Sequence, residues 1–268
     1  MGELALGAPA AAGAREAASG GVTLSIVSHR QTALVQPLLL DLQRLASPAV
    51  ERIVLTLNVD EPPPEAAAAF GDRLVLVRNP VPLGFGANHN RAFRHCDSSW
   101  FAVLNPDLRI DDDPFPRLLL AAQPLDALLS PAILESDGRP ADAARRVLTP
   151  WQLLRRALGN REPAGRDYDW LAGMFLLVRS AAFRASGGFD ERYFMYSEDA
   201  DLCLRLQLAG GRVRQIGEAR VVHAAQRASR RSWQHFRWHV TSLLRYWTSA
   251  AYWRYLAQRR TIRATRAA

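Results

Sequence analysis

The sequence predicts an α/β fold, in which helices flank a mostly parallel central sheet and a helical appendage follows. Two observations lead to this prediction. In the first half of the chain, short runs rich in Val, Ile and Leu alternate with segments of helical periodicity, as they do in βαβ units. Glycines, asparagines and carboxylates follow several of these runs, where the carboxyl ends of parallel strands form a ligand-binding crevice.

The first half of the chain is predicted to contain four strands and four helices. The strand runs are short and apolar, and they span residues 22–28, 53–57, 74–77 and 100–104. The clearest helix spans residues 31–46, because leucines recur there at helical spacing, at Leu34, Leu38, Leu42 and Leu45. Shorter helical segments are predicted at 66–70, 87–95 and 115–122.

The second half is organised around an acidic segment. Strands are predicted at 175–178, 213–216 and 220–223, whereas the connection at 136–165 gives no clear pattern. A helix is predicted to begin at Glu198 and to end at the glycine pair 210–211, because glycine readily terminates a helix. The predicted organisation is a disordered Ala- and Gly-rich leader at 1–20, one domain at 21–226 and a basic tail at 227–268.

Composition excludes several classes of protein. Hydrophobic residues make up 49% and charged residues 22% of the 268-residue chain, which is typical of a globular protein. No apolar stretch approaches the roughly 18 residues that a membrane-spanning helix needs, and the leader lacks the basic start and apolar run of a signal peptide. The two cysteines, Cys96 and Cys203, form no spacing pattern, so a reducing cytoplasm is the simpler expectation.

The tail combines arginines with aromatic residues. Residues 227–268 hold ten of the 34 basic residues, all of them arginine, and no acidic residue follows Glu218. Basic residues interleaved with Trp and Tyr favour a helix that lies on an anionic membrane surface. The alternatives are a structural helix that packs its aromatic residues on the domain and, less favoured, a nucleic-acid-binding segment.

The most informative segment runs from Gly187 to Leu202. It holds five carboxylates within a dozen residues, namely Asp190, Glu191, Glu198, Asp199 and Asp201. Acidic residues in the first turn of a helix interact favourably with the helix dipole, which accounts for one or two of them. Helix capping does not require the aromatic residues that are interleaved here, so the segment is predicted to be a functional site.

A glycine-containing loop follows the third predicted strand. Gly84 and Gly86 allow close backbone approach, and the helix that starts there offers N–H groups to an anion. A plain strand-to-helix turn is the more common explanation of such a pattern. Asn79, Asn88 and Asn90 around the loop suit recognition of a polar ligand.

A carboxylate follows the fourth predicted strand, in the sequence Leu104-Asn105-Pro106-Asp107. Asp107 can bind a divalent cation that in turn holds a diphosphate, and a simple Asn-Pro-Asp turn is the alternative. The run of three aspartates at 111–113 is better explained as a cluster that caps the next helix. His223 ends a predicted strand, and a histidine there is a metal ligand only if carboxylates lie near it.

Taken in order, these motifs resemble those of the family 2 glycosyltransferases. The set comprises Gly84-Phe85-Gly86-Ala87-Asn88, Leu104-Asn105-Pro106-Asp107, the run at 173–178, Gly188-Phe189-Asp190-Glu191 with Glu198-Asp199-Ala200-Asp201, and Val222-His223. The resemblance spans about residues 22–245 and is greatest to rhamnosyltransferases of bacterial surface polysaccharide assembly, such as that of lipopolysaccharide O-antigen. It implies a GT-A fold with a Rossmann-like sheet, a nucleotide-sugar donor, Mg²⁺ or Mn²⁺, and inversion at the anomeric carbon.

The resemblance also implies roles for single residues. Asp199 matches the catalytic base, Asp107 a metal-binding carboxylate, and His223 a histidine that completes the metal shell in some relatives. Nucleotide-sugar contacts are expected from Ser28, Asn58, Asn79, Gly84, Phe85, Asn88 and Asn105. Acceptor contacts are expected from Trp170, Asp190, Glu191 and Glu198. Glu198 and Asp201 are expected to raise the pKa of Asp199 by like-charge repulsion.

The sequence therefore predicts an inverting, metal-dependent hexosyltransferase. Its donor is expected to be a dTDP- or UDP-sugar, with dTDP-rhamnose favoured, and its acceptor a lipid-linked or polysaccharide glycan. It is expected to act as a peripheral protein on the cytoplasmic face of an anionic membrane, without a nucleic-acid partner, and the sequence predicts no oligomeric state. The alternative is a non-catalytic member that binds nucleotide or glycan, or a basic module that binds membrane surfaces. Two neutral side chains favour this alternative, because Asn58 stands where many members have an aspartate and Asn105 lowers the charge of the metal motif.

Overall fold

The computed structural model describes residues 20–147, 149–151, 158, 168–224 and 233–267. Its first half contains β1 (Val22–Ser28), α1 (Thr32–Leu45), β2 (Val50–Leu57), a 3-10 helix (Glu65–Arg73), β3 (Leu74–Arg78), α2 (Phe85–Phe93), β4 (Trp100–Leu104), β5 (Leu108–Arg109) and α3 (Phe115–Leu120). The second half contains β6 (Asp126–Glu135), β7 (Ala144–Arg145), β8 (Trp170–Leu171), β9 (Phe175–Arg179), α4 (Ser180–Ala185), α5 (Glu198–Leu208), β10 (Arg212–His223), α6 (Trp233–Thr248) and α7 (Ala250–Ala267).

The predicted α/β architecture with a mostly parallel sheet is confirmed. Eight strands form one sheet in the order β3-β2-β1-β4-β9-β6-β10-β5. The four strands from β3 to β4 run parallel to one another, and β6 runs parallel to β10. Strand β9 is antiparallel to both of its neighbours, β4 and β6, and β5 is antiparallel to β10 at the edge. Short β7 and β8 form a separate antiparallel pair.

Burial on both faces of the sheet explains why the strands read as continuous apolar runs. Every residue of β4 is buried, and successive residues alternate between two core layers. Trp100, Ala102 and Leu104 join the layer that contains α1, whereas Phe101 and Val103 join the layer beneath α2 and α5. The strand ends that carry the candidate site therefore emerge from a rigid, doubly covered sheet.

The sequence predicted most elements of the first half and missed part of the second. Strands β1 and β4 have the predicted bounds, and the helix predicted at 66–70 is a 3-10 helix. The two strands predicted at 213–216 and 220–223 are one strand, β10, whose register shifts between Ile216 and Arg220. Strand β6 was not predicted, since it contains Pro131, which lies beside this same irregularity.

The tail is helical, as predicted, and one part of it packs on the domain. Tyr246, Tyr252 and Tyr255 are buried, and the Tyr255 hydroxyl donates a hydrogen bond to the buried Asp169 carboxylate at 2.9 Å. Arg259 forms an ion pair with the same carboxylate at 2.6 Å. Residues 1–19 of the predicted leader, most of the connection at 148–167 and the predicted boundary at 226 lie outside the described residues.

Among the described residues, no helix is both long and apolar enough to cross a bilayer. Cys96 and Cys203 are both buried, and they do not form a disulfide with each other.

Candidate active site

The Asp199 carboxylate is held in place by two backbone N–H groups. Its Oδ2 accepts a hydrogen bond from Gly173 at 2.9 Å, and its Oδ1 accepts one from Ala200 at 2.8 Å. Asp199 lies in the first turn of α5 and remains partly exposed, so the helix fixes the carboxylate without sealing it from substrate.

The turn before Asp199 adopts an unusual backbone conformation. Tyr196 and Ser197 have φ angles of 74° and 66°, in the left-handed region that side chains other than glycine disfavour. Each such residue costs about 1–3 kcal/mol, so the surrounding structure must hold it. The Tyr196 hydroxyl is hydrogen-bonded to His235 Nδ1 at 2.8 Å, and its ring meets His239 edge-to-face. Backbone strain of this kind next to a carboxylate is typical of a functional site.

Burial raises the pKa of Asp199, while the hydrogen bond from Gly173 and the charge of Arg145 act in the opposite direction. Burial also raises the pKa of Glu198 well above its usual value, and the neighbouring Asp199 charge adds to that effect. The predicted like-charge repulsion is therefore not what raises the pKa of Asp199; burial raises it, and repulsion adds to burial at Glu198 instead. The contribution expected from Asp201 is wrong, since that carboxylate forms an ion pair with Arg205 at 2.7 Å.

Asp107 and His223 lie together in a second group, and their predicted role as metal ligands stays a prediction. Strand register places His223 opposite Leu108, and the His223 Nε2 lies 3.1 Å from Asp107 Oδ2. The backbone N–H of Ala224 donates to the Asp107 carbonyl at 2.9 Å, which ties the two chain segments together.

This pair fits a divalent cation. The other oxygen of Asp107, Oδ1, is buried and has no hydrogen-bond partner among the described residues. A carboxylate oxygen suits both Mn²⁺ and Mg²⁺, whereas the imidazole nitrogen favours Mn²⁺, because Mg²⁺ prefers oxygen ligands; the remaining positions are left for phosphate oxygens and water. No cluster of three potential ligands from His, Cys, Asp and Glu occurs in the described part of the chain. A cation here would therefore depend on the substrate for part of its coordination.

A two-residue segment joins the two groups. The N–H of Gly173 donates to Asp199, and the carbonyl of Met174 accepts a hydrogen bond from the N–H of Asn105 at 2.9 Å. Because Asn105 begins the loop that carries Asp107, the candidate base and the candidate metal ligand are positioned by adjacent residues of one turn. Asn105 itself is only partly buried.

The predicted asparagines form a closed hydrogen-bond network. Asn79 Nδ2 donates to Asn58 Oδ1 at 2.8 Å and to Asn88 Oδ1 at 2.6 Å. The amides of Asn58 and Asn88 in turn donate to the carbonyl of Leu83. These side chains therefore position the loop that leads into α2, and direct contact between them and a nucleotide stays a prediction. Ser28 lies next to this network, buried at the end of β1, where its hydroxyl accepts a hydrogen bond from Gln31.

The glycines of the loop are required for packing against the acidic segment. A Cβ at Gly84 would lie 2.5 Å from the Phe194 carbonyl oxygen, and one at Gly86 would lie 2.6 Å from Phe189 Cβ. The first N–H of α2, at Phe85, donates to the same Phe194 carbonyl at 2.8 Å. The first of the N–H groups that the sequence predicted for an anion is therefore already occupied within the protein.

The four predicted acceptor-binding residues differ in how exposed they are and in their contacts. Trp170 is 9% exposed, and the Arg145 guanidinium covers its ring at 5.2 Å from the centroid. Glu198 is buried, and Asp190 is paired with Arg192 at 2.6 Å. Glu191 is exposed and accepts a hydrogen bond from Asn90 at 3.0 Å. Their contact with an acceptor stays a prediction for all four.

Sequence reasoning missed three parts of the site. Gly173 belongs to one of the sequence motifs, but the sequence gives no sign that its N–H orients Asp199. Arg145 lies in the connection that gave no pattern, and no signal in the sequence indicated that its charge acts on Asp199. His235 lies in the tail, whose contact with Tyr196 depends on the tertiary fold.

The comparisons with known proteins identify the family and the fold. The chain belongs to glycosyltransferase family 2, since the model described as "Glycosyltransferase like family 2" matches residues 21–241. Two solved structures show that the fold is GT-A. The mannosyltransferase PcManGT from Pyrobaculum calidifontis, in complex with GDP-Man and Mn²⁺, has a TM-score of 0.60 at 15% identity, over 84% of this chain and 64% of that one. GalNAc-T7 with UDP, GalNAc and Mn²⁺ has a TM-score of 0.57 at 14% identity, over 77% of this chain and 43% of that one.

Curated relatives narrow the comparison within the family. The N-acetylglucosaminyl-diphospho-decaprenol L-rhamnosyltransferase of Mycobacterium tuberculosis is 32% identical over an alignment of 209 residues, and the match covers 65% of this chain and 68% of that protein. The rhamnosyltransferase WbbL of Escherichia coli K12 is 34% identical over an alignment of 184 residues, and the match covers 61% of this chain and 69% of that protein. The predicted resemblance to family 2 glycosyltransferases, and to rhamnosyltransferases among them, is confirmed.

Proposed function

We propose that this protein is an inverting glycosyltransferase that moves a sugar, with L-rhamnose from dTDP-rhamnose favoured, from a nucleotide diphosphate to a lipid-linked acceptor. The names of two relatives support rhamnose, and the name of one supports an acceptor joined to a polyprenol through a diphosphate. The observation that carries the proposal is the carboxylate of Asp199, oriented by Gly173 and positioned by the same turn as the Asp107–His223 pair.

Asp199 acts as the general base. Its carboxylate takes the proton of the acceptor hydroxyl as that oxygen attacks the anomeric carbon from the face opposite the leaving diphosphate. The raised pKa suits this role, because a base works best when its pKa approaches the working pH. The N–H groups of Gly173 and Ala200 fix the carboxylate, so the base is already oriented before the acceptor binds.

Asp107 and His223 are the residues that would hold Mg²⁺ or Mn²⁺, which supplies positive charge to the leaving diphosphate. Asn105 adds no charge to this site, so more of the metal binding must come from the substrate. The network of Asn58, Asn79 and Asn88 holds the loop at the nucleotide side in one conformation. We also propose that the protein works as a peripheral protein at the cytoplasmic face of a membrane, because a lipid-linked acceptor is held there.

A donor screen tests this function. The protein is incubated with dTDP-rhamnose, UDP-sugars and GDP-sugars, each with Mn²⁺ or Mg²⁺, and nucleotide release is measured with and without a polyprenyl-diphosphate-linked acceptor. The expected result is transfer from one donor, with a product whose anomeric configuration is shown by NMR to be inverted relative to the donor. Binding of a nucleotide without any transfer would favour the non-catalytic alternative.

A further inference from the structure

Helix α6 has two faces with different surroundings. One face, here called the inner face, carries His235, Trp238, His239 and Ser242 and lies against the turn that precedes Asp199. The opposite face, here called the outer face, carries Trp233, Phe236, Val240 and Leu244. Both sets follow spacings of three or four residues, so each forms one stripe along the helix.

The inner face holds the turn through direct contacts. The Trp238 ring stacks on Phe194 with centroids 4.6 Å apart, and the Ser242 hydroxyl donates to the Met195 carbonyl at 2.8 Å. Together with the hydrogen bond between Tyr196 and His235, these contacts engage three consecutive residues of the strained turn. Helix α6 therefore helps to hold the turn before Asp199 in its conformation.

The outer face is exposed. Trp233, Phe236 and Leu244 are 75%, 57% and 56% exposed, Val240 is 38% exposed, and Trp233 stacks on Phe236. A contiguous apolar stripe with large aromatic residues marks a surface that binds something. The neighbouring Arg237 is also exposed, and residues 227–268 carry ten arginines and no acidic residue.

We propose that the outer face of α6 docks on an anionic lipid bilayer. The proposal rests on the proposed function, since a lipid-linked acceptor brings the enzyme to a membrane. Charge complementarity favours a bilayer over a second copy of this chain, because self-association would bring two arginine-rich tails together. Tryptophan and phenylalanine next to arginine suit the boundary between headgroups and acyl chains.

Docking through the outer face would place the membrane on the helix that holds the turn before Asp199. Because the inner face holds residues 194–196, a bilayer on the outer face would support the same helix that supports the turn before Asp199. The acceptor hydroxyl would then reach the base from a lipid surface at a fixed distance. The outer face thus sets where the membrane lies relative to the reacting groups.

Vesicle binding by the full chain tests the proposal. The wild-type protein is compared with a triple variant, Trp233→Ser, Phe236→Ser and Leu244→Ser, by flotation with vesicles of phosphatidylglycerol and phosphatidylcholine in equal parts. The matched control replaces three exposed leucines elsewhere, Leu40→Ser, Leu120→Ser and Leu125→Ser. We expect the partition coefficient of the outer-face variant to fall at least tenfold, that of the control to stay unchanged, and wild-type binding to weaken with salt.

Two results would overturn the proposal. One is equal flotation of the wild type and the outer-face variant; the other is a wild-type dimer in sedimentation that the variant abolishes, with no vesicle binding by either. An activity readout separates this inference from the proposed function. The outer-face variant should lose transfer to an acceptor embedded in vesicles while retaining transfer to a short-chain, water-soluble acceptor. If the wild type transfers sugar to neither acceptor, the proposed function fails, and flotation still decides the docking surface.

Discussion

The backbone N–H of Gly173 lies 2.9 Å from the carboxylate of Asp199, while the next residue, Met174, accepts a hydrogen bond from the loop that carries Asp107. One turn therefore sets the distance between the candidate base and the candidate metal ligand. The inverting transfer that we propose needs these groups on opposite sides of the anomeric carbon, and the shared turn supports both of them.

The Asp107–His223 pair should control the response to metal. Asp107→Asn removes the negative charge of this site and His223→Gln replaces its imidazole by a neutral amide, so we expect the Mn²⁺ concentration for half-maximal activity to rise at least tenfold in each. The melting temperature with Mn²⁺ and dTDP, compared with dTDP alone, gives a second readout that does not need activity. Asp111→Asn is the control, since that residue belongs to the aspartate run outside the pair. An unchanged metal response in both variants of the pair would remove them from the site.

Glu198 should make the free energy of unfolding depend on pH. Burial raises its folded-state pKa well above the usual 4.5, so the folded protein retains a proton that the unfolded chain releases. Stability is therefore complete below about pH 4.5 and falls as the pH rises towards the folded-state pKa, by about 1.4 kcal/mol for each unit between the two values.

Glu198→Gln should remove this decline, because the amide resembles the protonated carboxyl. Urea denaturation across a pH series measures it, and Glu65→Gln, at an exposed position, should leave the slope as in the wild type. A Glu198→Gln profile that follows the wild type would show that the carboxyl does not keep its proton on folding.

Gly84 should not tolerate a side chain. A Cβ there meets the Phe194 backbone at 2.5 Å, so Gly84→Ala must displace the turn that leads to Asp199. We expect a loss of about 1–3 kcal/mol in the free energy of unfolding, together with lower activity. Gly217→Ala is the matched control, because no atom lies within 4 Å of its Cβ position. Equal stability of the two variants would contradict the packing between the loop and the acidic segment.

Arg259 should anchor α7 to the domain. It pairs with Asp169, which is fully buried, so Arg259→Ala leaves a buried carboxylate with fewer partners. We expect the free energy of unfolding to fall by about 3 kcal/mol in denaturant titrations. Arg260→Ala, at the next and exposed position, should change it little. Similar effects of both substitutions would mean that the ion pair does not hold the helix.

The local sequence pattern was enough to predict those strands in which apolar residues dominate. Strand β4 is uniformly apolar and β1 is rich in Val, Leu and Ile, and the bounds of both were predicted from the sequence. Strand β6 was missed because Pro131 argues against a strand, and only the irregular pairing with β10 shows how it is accommodated. Residue types and order likewise pointed to Asp107, Asp199 and His223.

The supporting contacts could not be predicted from the sequence, because they join residues that are distant in the chain. Arg145 reaches Asp199, and His235 reaches Tyr196, only after the sheet and α6 are in place. The cause of the raised pKa was also hidden, since burial is a property of the tertiary structure. In the sequence the carboxylates are neighbours, but in the fold Asp201 differs from the others because it forms an ion pair with Arg205.

The most direct test of the account is the substitution Asp199→Asn, measured by sugar transfer and by nucleotide binding in parallel. The amide keeps the size of the side chain and can still accept one of the two backbone hydrogen bonds, that from Gly173, but it cannot act as the base. We predict that transfer falls by about 10²–10⁴-fold, while the melting temperature and the dissociation constant for the donor nucleotide stay as in the wild type. Turnover near the wild-type rate would contradict the assignment of Asp199 as the base.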